Sequence, residues 1–262
     1  MPDRMMRHRC ALALALLVLI LIATGAALTS IIRPLPGAPP APRIDAPVLE
    51  RLHIYFSVIV ALIALALAFC LASQARLAAW IAVGLVLIDG GLGIYSAAGV
   101  LHALLAPLLF SAVVAIAVFT SKSWQAPPFP AENSWPPLRK LAIWTPILLV
   151  VQIALGAAFR HNAMGVVWHI MNAMIVLMLI LVLGICVLRL YPRHPALRPA
   201  ALALLIITGI QVLLGFGVYI TLLMVTENNL ALMTAGTIHV VTGSLTLAAS
   251  VALAIQLRKH SC

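Results

Sequence analysis

Apolar runs of about 20 residues, the length a helix needs to cross a bilayer, alternate with short polar connections along the whole chain. They fall at roughly 11 to 32, 51 to 72, 77 to 96, 100 to 121, 139 to 160, 163 to 188, 199 to 222 and 232 to 257. The pattern predicts an all-α integral membrane protein with eight transmembrane helices and leaves no stretch for a soluble domain. Composition agrees, with 64% hydrophobic and 8% charged residues and a mean hydropathy of +1.16, a balance that soluble globular domains do not show. A net charge of +10 would point to nucleic acid in a soluble protein. Here the basic residues sit at the ends of apolar runs, so the expected partner is the lipid bilayer and no nucleic acid.

Those basic residues predict topology. Threading eight helices puts Arg4, Arg7, Arg9, Arg76, Lys122, Arg139, Lys140, Arg189, Arg193, Arg198, Arg258 and Lys259 on one side and Arg33, Arg43, Arg51 and Arg160 on the other. The positive-inside rule then places both termini in the cytoplasm, with the Pro-rich first loop and the loop holding Glu227 facing outward. The first run has the basic start and small-residue stretch of a signal peptide, but it is long for one. It also has a counterpart further on: Ile22-Ala23-Thr24-Gly25-Ala26-Ala27 reappears as Ile153-Ala154-Leu155-Gly156-Ala157-Ala158. It is therefore expected to be a span.

That match belongs to an internal duplication. Gly99-Val100-Leu101-His102 heads the fourth run as Gly236-Thr237-Ile238-His239 heads the eighth, and His53-Ile54 on the second run corresponds to His169-Ile170 on the sixth. Two four-helix bundles are expected, an N-terminal half over 1–121 and a C-terminal half over 139–262, joined by a cytoplasmic linker over 122–138. Three odd helices carry a polar residue four positions before a glycine: Asp89 to Gly93, Gln152 to Gly156 and Gln211 to Gly215. Residues so spaced share a helix face. Close helix packing explains the glycines but not the polar residues.

The chemistry lies in four histidines, His53, His102, His169 and His239, one near the start of each even-numbered helix. Ionisable groups inside a membrane are costly and mark functional sites. In each half the two helices run parallel, so their imidazoles lie at one depth and can ligate both faces of one heme iron within a bundle. Zinc would want three or four converging ligands, whereas the duplication supplies two per bundle.

Glu50 precedes His53 by three residues and shares its face; it reads equally as a group beside the first heme or as an interfacial partner of Arg51 or Arg43. Val166 stands at the matching place in the second half, so the halves differ chemically. Asp89 lies deeper, within a span, and an acid there is a functional candidate. Arg160 and His161 end the fifth helix at the outer surface, where they either meet heme propionates or snorkel to headgroups. Cys10, Cys70, Cys186 and Cys262 all map to the cytoplasmic side, so no outward disulfide is expected. His8, His194 and His260 receive no role.

Taken together, these features resemble the heme A synthases of aerobic respiratory chains over nearly the whole chain. The resemblance rests on eight spans in two related halves, Glu50-Arg51-Leu52-His53, the run Gln152 to Ala157 followed by Arg160-His161, and histidines heading the even helices. It implies a membrane-bound heme-dependent oxidoreductase that converts a methyl group of heme O to the formyl group of heme A for cytochrome oxidase assembly. His169 and His239, with Arg160 and His161 nearby, would then hold a resident heme b. His53 and His102 would flank heme O as substrate, with Glu50 beside the reacting edge. Further implications are an electron donor, a heme O synthase as partner, and a bacterial or archaeal plasma membrane. The chain departs from the family in two places: the loop from Arg33 to Val48 has no cysteine, and Ile54 stands where an arginine commonly follows the first histidine. The rival reading is a diheme b-type electron carrier, which needs the same histidines but no reactive carboxylate. A transporter would want Gly/Pro-interrupted helix pairs, which are missing.

Overall fold

The computed structural model describes residues 2–32, 36–37, 46–94, 99–125, 137–224 and 230–260, apart from the side chains of 2–4 and 260. Arg33, Arg43, Glu227 and Cys262, the side chains of Arg4 and His260, most of the Pro-rich first loop and the linker over 126–136 lie outside the described residues.

The described residues form eight long helices: α1 (Pro2–Ile32), α2 (Ala46–Cys70), α3 (Ser73–Gly93), α4 (Gly99–Thr120), α5 (Leu138–Arg160), α6 (Val166–Leu190), α7 (Leu197–Met224) and α8 (Leu230–His260). One 3-10 turn, Ser123–Gln125, follows α4. Each helix contains a segment apolar and long enough to cross a membrane. The shortest, α3 with 21 residues, extends about 32 Å at 1.5 Å per residue, which spans a hydrocarbon core of about 30 Å. The chain is an all-α, eight-span membrane protein.

Neighbours in sequence are neighbours in space. In the first half α1 packs on α2, α2 on α3, α3 on α4 and α4 back on α1; α5 to α8 close in the same way. The two four-helix bundles meet along a seam in which α8 packs on α1 and α4, and α4 on α5. Each has its own apolar centre, around Leu14, Val18, Leu109 and Ile116 in the first and Ile180, Leu183, Leu204 and Leu253 in the second.

Large apolar side chains face outward, among them Leu62 and Phe69 on α2, Met174 and Met178 on α6, and Leu213, Phe216 and Leu223 on α7. Small hydroxyl residues are buried instead, which suits helices that associate without a hydrophobic driving force between them. The seam helix α8 buries Thr242, Ser244, Thr246 and Ser250. Each hydroxyl donates to a carbonyl of its own helix, Ile238, Val240, Thr242 and Leu247 respectively. No hydroxyl of this set depends on water, which the bilayer does not supply.

The joints are tight. Asn162, at φ +58°, ends α5 in the left-handed conformation that asparagine tolerates, and Ala163 N donates to Ala158 O at 2.8 Å. Between α2 and α3, Arg76 Nε donates to Leu71 O at 2.6 Å. Between α6 and α7, the buried His194 Nδ1 accepts from the backbone N–H groups of Ala196 and Leu197, both at 3.1 Å.

Candidate functional site: paired imidazoles in two bundles

All four intramembrane histidines come together in pairs. His53 and His102 face each other in the first bundle with ring centroids 6.1 Å apart and planes crossing at 76°. His169 and His239 do so in the second at 6.4 Å and 74°. Metal–nitrogen bonds of about 2.0–2.1 Å, with roughly 1.1 Å from ring nitrogen to ring centre, put two imidazoles on opposite sides of one ion about 6.3 Å apart. Both pairs lie close to that separation. Among the described residues, no set of three or more His, Cys, Asp or Glu converges as a chelating group.

The pairing arises from one local device used four times. Each histidine packs against a glycine on the preceding odd helix: His53 on Gly25, His102 on Gly93, His169 on Gly156 and His239 on Gly215. A Cβ at those glycines would lie 2.8, 3.3, 2.9 and 3.1 Å from the ring Cε1 of its histidine. The missing side chain lets the ring lie on the helix backbone, within reach of the carbonyl four residues earlier. His102 Nδ1 meets Asp89 O, and His169 Nδ1 meets Gln152 O, both at 3.1 Å. His53 Nδ1 instead meets Thr24 Oγ1, which itself donates to Leu21 O at 3.0 Å. His239 Nδ1 is buried and makes no such hydrogen bond. A backbone acceptor on Nδ1 fixes the tautomer that leaves the Nε2 lone pair for a metal. These glycines serve as ring seats, beyond the helix packing expected from sequence. Two others do serve as contacts for neighbouring helices: Gly184 lies against Leu205 and Gly243 against Gln211.

Side-chain partners differ between the bundles. In the first, Thr24 Oγ1 lies 3.1 Å from His53 Nδ1, and the buried carboxylate of Asp89 brings Oδ1 to 2.9 Å from His102 Nδ1. The latter is a close charge contact without well-angled hydrogen-bond geometry. In the second, both partners are amides. Gln152 Nε2 lies 3.1 Å from His169 Nδ1 and 3.2 Å from its Nε2, while its Oε1 accepts from Asn172 Nδ2 at 2.8 Å. Gln211 Nε2 lies 3.3 Å from His239 Nε2. Asn172 has no place in the sequence pattern; it sits one turn after His169 on a face that only the packing of α5 on α6 reveals.

Glu50 is exposed, one turn from His53 on the rim of α2. The carboxylate in contact with an imidazole is that of Asp89. Arg160 does not snorkel: it is only 9% exposed, and its guanidinium crosses the seam to donate to Ala26 O and Ser30 Oγ of α1. Its Nε is buried without a hydrogen-bond partner. The His161 ring lies against Gly99 at the start of α4, so Arg160 and His161 both reach into the first bundle. Far from these sites, His8 Nδ1 lies 3.2 Å from Thr120 Oγ1, and Cys10, Cys70 and Cys186 are free thiols.

Fold and site together define an eight-span helical membrane protein with a facing pair of imidazoles inside each of two bundles. No protein-family model matches the sequence, and no curated protein matches it.

Proposed function

We propose that this protein is a heme-binding membrane oxidoreductase of the heme A synthase kind, with a resident heme b between His169 and His239 and heme O as substrate between His53 and His102. The observation that carries this reading is the fourfold Gly–His seat, which sets two imidazole pairs with ring centroids 6.1 and 6.4 Å apart. Two ligands per bundle suit heme, whose macrocycle supplies the remaining donors, better than a closed tetrahedral zinc site. Bound heme would supply the redox chemistry that oxidises a methyl group. The protein's part is to hold, orient and move protons.

In the second bundle, ligation would require the Gln152 amide to leave His169 Nε2 and the Gln211 amide to leave His239 Nε2, because an amide nitrogen only donates. Two buried orphans, His239 Nδ1 and Gln211 Oε1, belong to the latter pair. Rotating the amide so that Oε1 accepts from Nδ1–H would satisfy both and clear Nε2. The buried Arg160 would offer its unpartnered Nε to a heme carboxylate, with His161 beside it. Glu50, one turn from His53, would take a proton at the substrate edge or orient water there. Twelve of the sixteen Lys and Arg on one side favour cytoplasmic termini, which puts both heme sites near the outer surface of a plasma membrane. An electron donor and a heme O synthase would be its partners.

Pigment extraction from protein purified after heme-replete expression, with identification by mass, tests the reading. Two hemes per chain are expected. Imidazole planes near perpendicular should give a strongly anisotropic low-spin ferric EPR signal. Supplying heme O and a reductant should yield heme A. Protein that binds no heme overturns the whole assignment. The exposure of Glu50 favours a second reading, a diheme electron carrier, which prevails if two hemes bind and heme O is never converted.

A further inference from the structure

The four histidines share a glycine seat on the preceding helix, and one of the four carries a carboxylate beside its ring. The hairpins α3–α4 and α7–α8 are repeat-equivalent, with Asp89 and Gln211 each four residues before the seat glycine, Gly93 and Gly215. On α3 that position is a carboxylate, buried, with Oδ1 2.9 Å from His102 Nδ1. On α7 it is a neutral amide, 3.3 Å from His239 Nε2; turning the amide toward Nδ1 would bring it to the same side of the ring as Asp89 takes on His102. A carboxylate on the Nδ1 side of a ligating imidazole draws its proton, makes Nε2 a stronger electron donor and so favours the more highly charged metal ion. An amide does so far less. Asp89 is buried, which leaves less water to screen the contact than at an exposed site.

We propose that Asp89 is the positioning residue that sets the two heme sites apart: through His102 it stabilises ferric iron in the first bundle and gives that site the lower reduction potential, while Gln211 leaves the second site higher. This rests on the heme reading above and adds a residue and a direction to it. Electrons offered to the protein would then settle first in the second bundle. The two arms, carboxylate and amide, are interchangeable in principle because they occupy the same place in the repeat.

The test is a reciprocal exchange in the full-length holoprotein, read by potentiometric titration of both hemes, with His239→Ala used to assign the wave that disappears to the second bundle. Asp89→Gln should reduce the preference of the first site for ferric over ferrous heme about tenfold, the lower bound for losing an outer-shell partner. That corresponds to a rise of ~59 mV for a one-electron couple, with the second wave unmoved. Gln211→Glu should lower the second wave and leave the first in place. Two hemes bound with neither wave displaced by either exchange would overturn the inference and leave the heme reading standing. If Asp89→Gln does not accumulate, Gln211→Glu decides alone, and an unmoved second wave overturns the proposal. Unmodified protein that holds no heme removes the reading beneath it.

Discussion

The two bundles answer one packing problem in the same way and then diverge. Both set their imidazoles on glycines of the odd helices and align the rings with a backbone carbonyl. In the first bundle the side-chain partners are a hydroxyl and a carboxylate, Thr24 and Asp89. In the second they are the amides Gln152 and Gln211, with Asn172 fixing one of them. Geometry is set by parts the repeats share, glycine and carbonyl, which tolerate no change without moving the ring. Chemistry is set by the parts that vary, one side chain per hairpin, which can change without disturbing the seat.

The largest effects come from removing the rings. His169→Ala or His239→Ala should abolish the resident heme, measured by heme content, and destabilise the second bundle. His53→Ala or His102→Ala should abolish conversion of heme O while the second heme's spectrum persists. Loss of both hemes from any one substitution would show that the bundles do not act separately, and the comparison would fail.

The next effect tests the shared geometry. An alanine at a seat glycine should displace the ring, with heme affinity at that site falling about 10–100-fold, the range for disturbing what orients a metal ligand. The damage should follow the clearances: greatest at Gly25 and Gly156, where a Cβ would lie 2.8 and 2.9 Å from Cε1, less at Gly215 at 3.1 Å, and least at Gly93 at 3.3 Å. Alanine favours a helix over glycine by up to about 1 kcal/mol. Apoprotein stability and heme affinity should therefore move in opposite directions, and parallel losses would mean that the glycines serve helix packing alone.

The sequence made the eight spans, the four histidines and their pairing legible, because apolar length and repeat-equivalent position are properties of the chain itself. The Asp/Gln-to-Gly pattern was visible on three helices; on α1 it is broken by Leu21, so Gly25 was found only through its match to Gly156. What the glycines face was not legible, since an i, i+4 rule speaks for one helix and the ring comes from the next. Arg160 shows the same limit. Its partners, Ala26 and Ser30, lie on α1 across the seam, and no spacing along α5 points to them, so the sequence offers only propionates or headgroups as partners. Glu50 stood out because its spacing to His53 is local, whereas the contact of Asp89 with His102 bridges two helices.

Glu50 offers a narrower test of the difference between the halves, since Val166 replaces it in the second. Glu50→Gln should leave the second heme's spectrum nearly unchanged and lower heme A formation by at least about tenfold, the low end of what losing a positioned acid or base costs. Normal heme A accumulation in this variant would make the carboxylate an interfacial anchor. The asymmetry would then rest on Asp89 alone.

The smallest effect distinguishes the two bundles at their opposite ends. The α2–α3 joint is tied by Arg76, whose Nε donates to Leu71 O. The equivalent α6–α7 joint is tied by His194, whose Nδ1 lone pair caps the first N–H groups of α7, as a hydroxyl or carboxylate does at other helix starts. Burial disfavours the charged ring and holds the His194 pKa below its ordinary 6.5; a proton on Nδ1 would also take away the cap's acceptor. A histidine whose folded pKa is depressed binds fewer protons folded than unfolded, so stability rises with pH through this window. The cap's contribution is fully present above 6.5 and is lost as pH falls from there toward the lowered folded value. His194→Ala should cost about 1 kcal/mol, within the range for a lost N-cap, and should flatten the pH dependence of unfolding below 6.5. Arg76→Ala should leave that dependence in place. Thermal unfolding of detergent-purified protein at pH 7.5 and 5.5 reads both variants, and a His194→Ala protein that still loses stability on acidification to the same extent as the parent would assign the pH response elsewhere.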